Sequence, residues 1–105
     1  MESNQVIESA NHAPLIPEDE RIVSETLAAI DAALSEEERE IVLMKILGAS
    51  DGDVAERHSI SRPTAAKRRD EAFALIRSSM AGLDAQVSAH VLDRLVSILE
   101  NRRPA

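Results

Sequence analysis

The chain has no cysteine, tryptophan or tyrosine, and Phe73 is its single aromatic residue. Without cysteine there is no disulfide and no thiolate-ligated zinc. With one aromatic, the core must be built from Leu, Ile, Val, Ala and Met, which suits helices better than a sheet rich in aromatic and β-branched residues. No apolar run approaches the roughly 20 residues needed to span a bilayer. The opening MESNQVIESANHAPLIPEDE has neither a basic n-region nor an apolar h-region, so no signal peptide is expected and the reading is a cytoplasmic protein with no membrane partner. His12, His58 and His90 are dispersed, which points to no metal site. Glu36, Glu37, Glu38 and Glu40 fall at a helix start, where the dipole accounts for them without acid–base work. With no nucleophile constellation and no glycine-rich phosphate loop, neither an enzyme nor a cofactor is expected.

What is present is an aliphatic chain of 105 residues, 44% hydrophobic, with room for one small domain. Its net charge of −7 is unevenly spread. Residues 1–56 hold three basic and fourteen acidic side chains, net −11; residues 57–77 hold six and two, net +4; residues 78–105 hold three of each. The stretch ISRPTAAKRR, Ile60 to Arg69, contains four of the twelve Lys and Arg residues. Clustered positive charge in an acidic chain is where an anionic partner is sought first, and internal pairing with the acidic half is the competing explanation.

Periodicity predicts an all-α fold, a compact helical domain of about five helices behind a disordered acidic tail. Residues 1–17 lack periodic hydrophobicity and read as the flexible tail. Residues 18–82 form the main domain. Val23, Leu27, Ile30 and Leu34 make one apolar stripe, with Glu18, Asp19 and Glu20 at the positive end of that helix. Ser35 with Glu38 forms a capping box for a helix over Glu36 to Leu47, apolar nearly all round and expected to be the most buried. Gly48 ends it, and Ser50 with Asp53 opens a short helix over Asp51 to His58. Ser59, Ile60 and Ser61 form a turn, Ser61 caps the next helix, and Pro63 lies in its first turn. Ala65, Ala72, Phe73, Ile76 and Met80 supply that helix's apolar face up to Gly82. Residues 83–101 give a last helix capped by Asp84.

A short helix, a three-residue turn and a second helix opening with polar and basic residues is the helix-turn-helix arrangement. The start of its second helix enters the major groove, where side chains must be short or long and cationic. Ser61, Arg62, Thr64, Ala66, Lys67 and Arg68 meet that requirement and are the expected DNA-binding residues, with the N–H groups at the helix start available to a phosphate.

From about Leu34 to Arg77 the chain resembles the σ70 region 4 type of helix-turn-helix, shared by bacterial sigma factors and small regulators. LSEEEREIVLMKIL is similar to the helix preceding that motif, and SDGDVAERHSISRPTAAKRRDEAFALIR to the motif itself. The resemblance implies double-stranded promoter DNA as the partner of Arg62, Thr64, Lys67 and Arg68, with RNA polymerase on the other face. Ala65 stands where the family usually has a larger aliphatic residue, and no region 2 segment is recognisable, so a complete promoter-melting sigma factor is not expected.

The leading expectation is a sequence-specific DNA-binding transcription regulator. Two alternatives stand beside it: a sigma-like protein-binding module docking on RNA polymerase or a sigma-type partner, and a phage-type small terminase subunit that packages DNA. Val87, Val91, Leu92, Leu95, Val96, Ile98 and Leu99 make the last helix apolar over a wide arc, which predicts a homodimer through that helix, with folding back onto the first helix as the competing arrangement.

Overall fold

The computed structural model describes residues 14–102; the tail expectation for residues 1–13 lies outside them. Five helices and no strand occur among the described residues: α1 (Pro17–Ala33), α2 (Glu36–Ile46), α3 (Asp51–His58), α4 (Arg62–Ser79) and α5 (Ala85–Asn101). The all-α fold is as expected. Within the expected 1–17 tail, Pro17 instead opens α1 and Leu15 packs against the core.

Each helix after the first starts where its capping chemistry dictates. Ser35 accepts from the Glu38 N–H while the Glu38 carboxylate accepts from the Ser35 N–H, and Ser50 and Asp53 repeat the exchange at α3. Ser61 accepts from the Thr64 N–H at α4, and Asp84 from the Val87 N–H at α5. Gly48, at φ 99°, closes α2, with the Ala49 N–H bonding back to the Met44 carbonyl.

The main core joins α1, α2, α4 and α5 through Val23, Ile30, Leu34, Val42, Leu43, Ala72, Ile76, Val87, Val91, Leu95 and Leu99. Arg94 pairs with Glu20, and two turns later Arg102 pairs with Asp31, so α5 runs beside α1 in the same direction. A second, smaller cluster of Ile41, Val54, Ala55 and Ala65, flanked by Met44 and Ile60, fixes α3 and the start of α4 on α2. That cluster orients the basic helix.

Two expectations about burial are corrected. α2 buries Ile41, Val42 and Leu43, but Ile46 is 43% exposed and Leu47 53%, because neither faces one of the two apolar clusters that the other helices build around it. α5, with Val87, His90, Val91, Leu95 and Leu99 buried, carries more of the core. Val87, Val91, Leu95 and Leu99 therefore belong to the face that α5 turns inward, and they are not available as dimer contacts. Ile98 and Val96 are half-buried, and Leu92 alone of the seven is exposed. The α1 stripe needs cover, and α5 provides it.

Candidate nucleic-acid interface

The interface begins with how the chain turns between α3 and α4. Ser59 takes the left-handed conformation, φ 57° and ψ 45°, and the Ile60 N–H reaches back to the Ala55 carbonyl at 2.9 Å. This closes α3 in a Schellman motif and drives Ile60 into the small cluster. Ser61 then starts α4, accepting from the Thr64 N–H at 3.2 Å and donating its own O–H to Thr64 Oγ1 at 2.9 Å.

Of the expected site residues, Ser61, Arg62, Thr64 and Lys67 come together over the first two turns of α4, with Ala66 half-buried on the flank and Pro63 exposed between them. The Arg62 guanidinium lies on the first turn of α3: a Cβ added at Gly52 would sit 2.9 Å from Arg62 Nη2. It stands beside Asp53, whose carboxyl is held below the usual aspartate range first by the Ser50 backbone N–H and the Ser50 hydroxyl, with Lys45 and Arg62 adding positive charge. Lys67 is exposed and has no ion pair among the described residues.

Arg68 departs from the expectation. Its Nη1 donates to both oxygens of Glu37, at 2.8 and 2.9 Å, because one residue further around α4 from Lys67 the side chain faces α2 instead of solvent. Arg69 bridges α4 to α3 through Asp51, at 2.6 Å, and also reaches Asp70 at 3.0 Å. Hydrogen bonds from Arg69 and then Lys45 hold the Asp51 carboxyl below its usual range. Arg57 is taken by Glu40. Three of the six cations of residues 57–77 are thus ion-paired within the fold, and Arg62, Lys67 and Arg77 have no ion pair among the described residues. Sequence reasoning missed Gly52, Glu37 and Asp51. The acidic half signalled that pairing was available, but nothing local identified partners 31 and 18 residues away.

A cavity of about 610 Å³ opens between α2, the end of α3 and the end of α5, with Leu43 and Leu99 as its apolar lining and Glu37, Glu40, His58 and Arg102 among its polar lining. No group of His, Asp or Glu suited to a metal ion occurs among the described residues. No protein-family model, curated protein or solved structure matches the chain. The described residues form five helices and present the cationic start of one of them on an otherwise acidic body.

Proposed function

We propose that the protein is a sequence-specific DNA-binding transcription regulator acting in the cytoplasm, with α3, its turn and α4 working as a helix-turn-helix. The observation that carries this reading is the start of α4. It combines exposed Arg62 and Lys67, a serine cap and a first turn without carboxylates, whereas α1, α2 and α3 all begin with acidic residues. Positive helix ends favour anions, and in helix-turn-helix proteins the first residues of the second helix reach base edges. Arg62 and Lys67 are the long cationic side chains for phosphate or guanine contact, and Ser61 and Thr64 supply hydroxyls within the same two turns. The outer face further along α4 carries Asp70 and Glu71, so contact is confined to its N-terminal half.

A homodimer forms part of the proposal, since two reading heads compensate for weak binding to a single half-site. Its surface is the outward side of α5 around Leu92, with Val96 at its edge.

The second reading, a module that docks on RNA polymerase or a sigma-type partner, draws support from the exposed Ile46 and Leu47 at the end of α2. The test is affinity for duplex DNA over a range of salt. Arg62→Ala and Lys67→Ala should each lower the salt slope by about one if they contact phosphate, or cost about 1–3 kcal/mol and relax one position if they read a base. Unchanged binding in the double variant, in a protein that binds duplex DNA, contradicts the assignment of α4.

A further inference from the structure

His58 closes α3 with its side chain only 11% exposed, between two carboxylates of α2. Its Nδ1 is 3.8 Å from Glu37 Oε2 and its Nε2 is 3.5 Å from Glu40 Oε1, and Nε2 makes no hydrogen bond. Each carboxylate is already held by an arginine: Glu37 by Arg68 of α4, and Glu40 by Arg57, the residue before His58. The other charges around the cavity are the exposed Glu36 and two guanidiniums, Arg39 and Arg102, which both donate to Asp31.

A neutral imidazole has one N–H and an imidazolium has two. Protonation therefore gives His58 a donor for each carboxylate, at a helix C-terminus where positive charge is favoured. Histidine is also the side chain that ordinarily changes charge between roughly pH 5 and 8.

We propose that His58 is a proton-operated release for Arg68: once protonated, it neutralises Glu37 and frees Arg68 to reach a DNA phosphate. The inference rests on the DNA-binding reading of α4. With His58 neutral, Arg68 is the nearest cation to Glu37 and stays with it. The Arg68 side chain is 39% exposed and follows Lys67 directly, so a released guanidinium has a short path to the surface on which Lys67 lies. DNA that draws Arg68 away leaves Glu37 facing His58, and the uncovered carboxylate favours the imidazolium. Coupling of this kind is reciprocal: acidification tightens DNA binding, and DNA binding takes up a proton.

Two measurements test it. The first is affinity for a mixed-sequence DNA duplex at constant salt, at pH 8 and pH 6, for the parent and His58→Gln. Parent affinity should rise about fivefold more than that of His58→Gln, the low end of typical site-to-site coupling. If His58→Gln loses helicity by circular dichroism, Glu37→Gln replaces it, since removing the shared carboxylate should flatten the same response. The second needs no DNA: the Glu37–Arg68 coupling, measured by a double-mutant cycle in urea unfolding, should be weaker at pH 6 than at pH 8, because protonated His58 then shares Glu37. An equal pH response in parent and variant, or a Glu37–Arg68 coupling that is the same at both pH values, overturns the inference. Absence of DNA binding at both pH values refutes the reading of α4 instead, and the pH dependence of the Glu37–Arg68 coupling then decides on its own whether His58 and Arg68 compete for Glu37.

Discussion

Lys67, Arg68 and Arg69 are consecutive, yet each meets a different environment. One is free in solvent, one is held by α2, and one is clamped between Asp51 and Asp70. Successive residues on a helix are about 100° apart, so a run of like charges cannot share a face. The clamp has a pH signature. Arg69 and Lys45 depress the Asp51 carboxyl, and Arg94 depresses that of Glu20. A carboxyl depressed on folding contributes stability that is present above its unfolded value and lost as pH falls through its folded value. Urea midpoints should therefore hold steady down to about pH 5 and drop below about pH 4, and Asp51→Asn should reduce the size of that drop. Backbone chemistry gives a second prediction at this scale. Gly48 and Ser59 both have positive φ, and a Cβ at Gly48 would touch nothing within 4 Å. Gly48→Ala should cost about 1 kcal/mol through backbone strain alone, whereas Ser59→Gly should stabilise by up to about 1 kcal/mol, both read from denaturant unfolding.

At the scale of elements, legibility followed how local the cause was. Ser35, Ser50, Ser61 and Asp84 were readable as caps because a cap and its partner N–H are three residues apart. The inward stripes of α1 and α5 were readable as apolar periodicity. Which of them would cover the other was not, since that depends on how α1 and α5 meet across more than 70 residues of chain. Ile46 and Leu47 were misjudged for the same reason: hydrophobicity states what a helix can bury, and the placement of its neighbours decides what it does bury. The seat of Arg62 was illegible because it depends on a missing side chain, the bare Cα of Gly52. Gly52→Ala should push the flexible Arg62 head off α3 without lowering the unfolding midpoint. DNA affinity should fall without loss of stability, and fluorescence anisotropy beside thermal melting measures both.

At the scale of the molecule, a chain of net charge −7 presents uncompensated cations on one helix, and its ion pairs consume the rest of the local positive charge. On the proposed reading such a body should repel DNA except at α4, so binding should depend strongly on orientation and salt. The proposed dimer is tested by light scattering. Leu92→Glu with Val96→Glu should leave a folded monomer because these side chains lie outside the central core, while Leu95→Asp should unfold the chain by placing a charge among Val23, Ile30 and Val91. A parent protein that is monomeric at high micromolar concentration rules the dimer out. The central claim, that α4 reads sequence, meets its most direct test in selection of bound duplexes from a random-sequence pool. A short enriched motif, altered at one position by Lys67→Ala or Arg62→Ala, is the predicted result; recovery of unenriched sequence from a protein that remains folded would contradict it.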